Sequence, residues 1–203
     1  MELKPYQKKV IADLTRFLEY LSSGHSAAAA YKLLWQEKNV PVGFGGLQAY
    51  HANISKDVPD VCFKVPTGGG KTYLAASSVK PIFDSLPKMR SRAVVWLVPS
   101  EAILTQTYKA LSSTAHPYRQ RLDVDFGGNV EVYSKTQLLN GQNFNPTSVT
   151  EQLSVFVLSY DSFRTSKKEG RKAFQENGNL AAFPKQLGDK SVLLPDTDET
   201  ALI

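Results

Sequence analysis

Val65-Pro66-Thr67-Gly68-Gly69-Gly70-Lys71-Thr72 stands between an apolar segment, Val61-Cys62-Phe63-Lys64-Val65, and a helix-like stretch beginning at Lys71. The apolar segment reads as a short buried strand. The consecutive glycines let the backbone fold tightly and turn successive N–H groups toward one point. A helix that starts at Lys71 adds unpaired first-turn donors and the positive end of its dipole. Lys71 would reach the β- and γ-phosphates, and the Thr72 hydroxyl would ligate Mg²⁺. The run therefore predicts a pocket for Mg²⁺-ATP or a similar triphosphate, with Thr67, Gly68, Gly69, Gly70, Lys71 and Thr72 in contact with it. The strict pattern G-x-x-x-x-G-K-[ST] asks for glycine where this chain has Val65. A ligand-free glycine turn is the competing reading. It explains neither the three adjacent glycines nor the Lys-Thr that follows them.

Outward from the loop, the pattern is α/β. Downstream, a helix is expected over 71–85, closed by Pro87, then a strand over 93–98. That strand is apolar throughout, as buried parallel strands are. A helix over 100–112 follows. Strand, helix, strand and helix at these lengths build right-handed βαβ units and hence a parallel sheet. Further strands are expected at 129–133 and 154–158. Upstream, Val10, Ile11, Leu14, Phe17, Leu18 and Leu21 recur at helical spacing, so 5–21 reads as an amphipathic helix with Pro5 in its first turn. A second helix is expected over 26–38, capped by Ser26, with Tyr31, Leu34 and Trp35 as its core stripe. Residues 39–60 read as loop, and the polar stretch 165–190 as a loop or mobile segment. Asp196 and Glu199 resemble a capping-box helix start. The sequence stops four residues later at Ile203, which reads as a piece of a longer chain. The expected organisation is a helical segment over 1–60, a partial ATP-binding lobe over 61–165, and a polar loop with a truncated helix over 166–203.

Composition sets bounds. The chain has 203 residues, 42% of them apolar, and a net charge of +5 with pI near 9.2. That charge fits a polyanion partner without singling one out. A single cysteine, Cys62, in an expected buried strand excludes an internal disulfide framework. His25, His51 and His116 are scattered, so no metal site built from protein ligands is expected. The apolar run 93–98 is too short to span a bilayer, and Met1-Glu2-Leu3-Lys4-Pro5 is no signal peptide. A cytoplasmic protein without a membrane partner is expected.

Thr67-Gly68-Gly69-Gly70-Lys71-Thr72 without a leading glycine resembles the phosphate loop of superfamily 2 helicases. Within that group the chain resembles the restriction-enzyme helicase subunits, and most closely the type III Res subunit. The likeness covers about residues 2–163 and is strongest at 65–72. Leu3-Lys4-Pro5-Tyr6-Gln7 is similar to a motif whose glutamine reads the adenine edge, which implies that role for Gln7. An amide suits it by offering donor and acceptor together. The stretch between Gln7 and Lys71 is longer than in most helicases. Trp96-Leu97-Val98-Pro99-Ser100, continued by Leu104-Thr105-Gln106, resembles helicase motif Ia, which implies backbone contacts to nucleic acid from Pro99, Ser100 and Gln106. The same spacing equally suits an ordinary helix start capped by Ser100. Val155-Phe156-Val157-Leu158-Ser159-Tyr160-Asp161-Ser162-Phe163 looks like the strand and turn that precede the family's acidic motif.

The acidic motif itself, Asp-Glu-x-His after an apolar strand, supplies the acids that complete Mg²⁺ coordination and orient water. The one Asp-Glu pair here, Asp198-Glu199, follows no continuous apolar strand and is succeeded by Thr200-Ala201. The resemblance thus implies an incomplete RecA-like lobe that binds ATP through Lys71, its catalytic lysine, but lacks the groups for hydrolysis. In the intact protein it would belong to a DNA-dependent translocase, with DNA and a modification (methyltransferase) subunit as partners. A stand-alone nucleotide-binding regulatory module is the alternative from another class. A P-loop small-molecule kinase fits less well, because Val65 and the Tyr6-Gln7 pattern do not suit it.

Overall fold

Helical periodicity marks the chain's start, and apolar strands lie in its second half. The computed structural model describes residues 1–53, 58–86, 91–141, 143–162 and 182. The chain divides into two units, Met1–Met89 and Arg90–Ile203.

The first unit contains α1 (Pro5–Ser22), α2 (Ala27–Glu37) and α3 (Lys71–Asp84). In α1 the stripe Leu14, Phe17 and Leu18 is buried, and α2 begins where the Ser26 hydroxyl accepts the Ala29 N–H at 3.3 Å. Ala27 and Ala30 carry little side-chain bulk, so α2 can approach α1 closely, and with Phe17 and Leu34 they form one core cluster. Of the expected stripe on α2, Leu34 is buried while Tyr31 and Trp35 are half-buried. Helix α3 turns Tyr73, Leu74, Ala76 and Val79 inward and packs against α1. The ends of these two helices are joined where Ser22 Oγ donates to the Ser85 carbonyl at 3.1 Å.

The second unit is built on three parallel strands, β1 (Ala93–Val98), β2 (Val130–Tyr133) and β3 (Leu153–Ser159), in the order β1-β3-β2. Helices α4 (Glu101–Ser112), α5 (Pro117–Asp125), α6 (Lys135–Asn140) and α7 (Pro146–Glu151) connect them, and a 3₁₀ turn, Tyr160–Ser162, follows β3. The expected α/β class with a parallel sheet is the one observed. Strand β3 is central and buried at every position. Beneath it Tyr133 stacks on Phe156 at 5.2 Å, and Phe144 meets Phe156 edge-on at 4.7 Å.

Three expectations are corrected. Residues 61–65 form no strand; Val61 and Phe63 are 48% and 40% exposed, and Cys62 is exposed rather than buried. A strand exists only through a partner, and among the described residues none of the strand pairings includes this segment. Strand β1 is apolar but not buried throughout, because it lies at a sheet edge and leaves Val95 60% exposed. Helices α5, α6 and α7 occupy stretches for which no helix was expected. The expected loop over 165–190, apart from residue 182, and the helix start at Asp196 lie outside the described residues.

Candidate nucleotide-binding site

Each of the three glycines ahead of α3 has a conformational or steric reason to be glycine. Gly68 and Gly70 have φ of 75° and 68°, left-handed values that favour glycine. Gly70 is also the N-cap of α3. Gly69 is excluded from bearing a side chain by crowding, since a Cβ there would lie 2.6 Å from Val65 Cγ1 and 2.9 Å from the Pro66 carbonyl oxygen. A Cβ on Gly70 would lie 2.6 Å from Gln7 Nε2, whereas one on Gly68 would meet nothing within 4 Å. The outer side of the loop is therefore open at Gly68 and closed by Gln7 at Gly70.

Two side chains from the first turn of α1 grip the loop at one atom. Tyr6 donates its hydroxyl proton to the Gly69 carbonyl at 2.6 Å, and Gln7 Nε2 donates to the same oxygen at 3.0 Å. Gln7 is itself fixed, since its Oε1 accepts the Lys4 N–H at 2.9 Å and the residue is 2% exposed. The amide retains a second N–H and further lone-pair capacity after these bonds. Sequence reasoning singled out Gln7 but not Tyr6. The one available signal was its place beside Gln7 at a helix start.

Lys71 is the first residue of α3 and is exposed. Its ammonium donates to the Pro66 carbonyl at 3.0 Å, an oxygen that also accepts the Gly69 N–H at 3.0 Å. The lysine is thus folded back on its own loop, and a triphosphate would have to draw it away. Thr72 follows in the first turn, half-buried, where the helix's initial N–H groups lack intrahelical acceptors. Behind Lys71 a cavity of about 240 Å³ is lined by Val10, Leu14, Phe63, Val65 and Leu74. It is apolar, so it suits packing rather than phosphate. Gln7 and the stretch from Thr67 to Thr72 are brought together here. The open face at Gly68, the lysine and the hydroxyl fit a magnesium-bound triphosphate.

The other expected contacts lie in the second unit. Pro99 is exposed, Ser100 half-buried and Gln106 exposed. The Ser100 hydroxyl faces the Ile103 N–H at 3.5 Å, a long cap contact. Sheet register sets Val98 opposite Ser159, so the turns after β1 and β3 leave the sheet at the same, C-terminal end of the strands. There Ser159 donates to Glu101 Oε1 at 2.5 Å. Glu101 places a negative charge on the helix start where a phosphate contact was expected. Phe163, which closes the second motif, lies outside the described residues.

A parallel α/β unit and a glycine loop feeding Lys-Thr into a helix define a P-loop nucleotide-binding protein. The family model "Type III restriction enzyme, res subunit" matches residues 1–185. The chain belongs to that family, and its fold is an incomplete RecA-like lobe of a helicase-like ATPase. No curated protein and no solved structure matches it. Among the described residues, no helix is long and apolar enough to cross a membrane.

Proposed function

We propose that this chain is the ATP-binding portion of a DNA-dependent helicase-translocase of the type III restriction kind, and that by itself it holds ATP without hydrolysing it. The observation that carries the reading is Lys71 and Thr72 on the first turn of α3, directly after a loop whose Gly69 carbonyl is gripped by Tyr6 and Gln7. Lys71 would bridge the β- and γ-phosphates once released from Pro66. Thr72 would hold Mg²⁺, which when bound neutralises phosphate charge. Backbone N–H groups around Gly68 and Gly70 would meet the remaining oxygens, and Gln7 would offer its unused N–H and lone pair to adenine. Pro99, Ser100 and Gln106 are the proposed nucleic-acid contacts, with DNA as the polymer and a modification (methyltransferase) subunit as a partner of the whole protein.

The absence of hydrolysis follows from the residues required. Attack by water needs an acid to complete Mg²⁺ coordination, one to orient water, and arginines for the developing charge. An arginine finger alone contributes about 10³–10⁵ in rate. The sequence contains no Asp-Glu-x-His. Phosphate release measured with the purified chain, Mg²⁺-ATP and duplex DNA is expected to stay at background. Turnover above ~0.01 s⁻¹, beyond slow intrinsic P-loop rates, that Lys71→Ala removes would overturn this part of the reading. A stand-alone regulatory module would give the same silence but no affinity for DNA.

A further inference from the structure

The phosphate loop does not use an aromatic cavity of about 500 Å³ between α1, α2 and the segments around Tyr50 and Phe63. That volume is within the range of small-molecule sites, which are mostly apolar with a few placed polar groups. Its walls are Phe17, Tyr31, Trp35, Tyr50 and Phe63. Tyr31 lies 6.1 Å from Trp35, edge-on, and 5.9 Å from Tyr50, tilted by 48°. Lys38 is paired with Asp13 and sits 5.0 Å from the Trp35 ring centroid, so one face of the indole is already covered. What Trp35 still offers is its edge. Its Nε1–H is buried and has no hydrogen-bond partner among the described residues. A buried donor left unpaired is costly; the nitrogen is closed to solvent, so an acceptor in the plane of a bound ring satisfies it once the indole edge turns into the cavity.

Asp60 supplies the opposite polarity in the same cavity. Its carboxylate is oriented by Asn53, whose backbone N–H reaches Oδ2 at 2.8 Å and whose amide reaches Oδ1 at 3.1 Å. The Asp60 N–H in turn donates to the Tyr50 hydroxyl at 2.8 Å. Each carboxylate oxygen can accept more than one hydrogen bond, so a ligand amino group has a site. Lys64, exposed, adds a cation to the lining.

We propose that this cavity binds a nucleobase carrying an exocyclic amino group, at a site separate from the phosphate loop. Aromatic walls stack on the ring, the Trp35 indole N–H meets a ring acceptor, and Asp60 accepts from the amino group. Lys64 lies where a sugar-linked phosphate would gain by it. Adenine and cytosine present a ring nitrogen beside an amino group, and thymine carries no amino group. Stacking of bases on aromatic side chains is also how single strands are held. The base could therefore come from a free nucleoside or from a nucleic-acid strand.

Adenosine, which has no phosphate for Lys71, is the probe. Binding to the full 203-residue chain is followed by saturation-transfer NMR and by Trp35 emission in a Trp96→Phe background. Saturable binding is expected, weakened about tenfold by Trp35→Phe, which keeps a flat ring but removes the donor. Thymidine should bind more weakly by a similar factor, and Tyr50→Leu gives an independent loss should Trp35→Phe misfold. Lys71→Ala should leave adenosine affinity unchanged, whatever it does to ATP. Displacement of adenosine by a cytosine-containing single strand, but not by an abasic strand of equal length, assigns the base to nucleic acid. No displacement by either assigns it to a free nucleoside. No saturation below ~10 mM, equal affinity in Trp35→Phe and Tyr50→Leu, or loss in Lys71→Ala would each overturn the proposal.

Discussion

Tyr6 and Gln7 grip the Gly69 carbonyl from the first turn of α1, and that shared oxygen makes the loop's shape depend on a helix distant in sequence. Removing the amide in Gln7→Ala takes away its bonds to Gly69 and Lys4 and leaves a small void at a residue 2% exposed. With each hydrogen bond contributing about 0.5–1.5 kcal/mol net, the variant should lose about 1–3 kcal/mol of stability in urea titration. It should also bind both ATP and GTP more weakly, with the larger loss for ATP if the spare N–H and lone pair read adenine. Equal losses would leave the grip on the loop and remove the adenine role. Gly70→Ala combines a φ of 68° with a Cβ 2.6 Å from Gln7 Nε2. About 1–2 kcal/mol of left-handed strain is expected, in addition to the cost of that contact. Thermal melting checks it, and an unchanged melting point would contradict the loop geometry.

The joint between α1 and α2 is a charged cluster as well as an apolar one. Arg16 donates from Nε to both Glu37 carboxylate oxygens at 3.0 and 3.1 Å, and the Tyr20 hydroxyl donates to Oε1 at 2.5 Å. Hydrogen bonds from Arg16, then from Tyr20, lower the Glu37 carboxyl from an ordinary 4.5 to about 2. A depressed carboxyl contributes stability above its unfolded-state value and loses it as pH falls through the folded one. The stability gap between the parent and Glu37→Gln should therefore be largest above pH 4.5 and close toward pH 2, measured by melting across that window. A gap constant with pH would contradict the pairing. Long elements of this kind were legible in the sequence. The stripes of α1 and α2, the start of α3 and the apolar β1 and β3 all carried strong local signals. Residues 61–65 misled because a short apolar run alone does not supply a pairing strand. Helices α5 to α7 were missed for want of apolar periodicity, although caps marked two of them. Ser134 with Gln137 frames α6, and Asn145 with Ser148 frames α7. In the site, the glycines and Lys71 were readable from spacing. The return of Lys71 to Pro66 and the hold of Tyr6 were not, because both depend on tertiary approach.

For the molecule as a whole, a charge of +5 and the proposed turn contacts at Pro99 and Ser100 imply recognition of phosphates rather than bases. Affinity for nucleic acid should then fall steeply with salt, by roughly 0.9 log units per log unit of salt for each duplex phosphate neutralised, and depend little on sequence. Fluorescence anisotropy with two unrelated duplexes tests this, and a salt-independent or sequence-selective response would contradict it. Triphosphate binding at residues 65–72 is tested most directly by titration calorimetry of Mg²⁺-ATP into the parent chain and Lys71→Ala. The ammonium's bonds to charged oxygens contribute about 1.5–3 kcal/mol each, so the substitution should weaken ATP at least ~10-fold while the chain remains folded. Equal affinity in the two proteins would mean that the glycine loop is a turn and not a phosphate site.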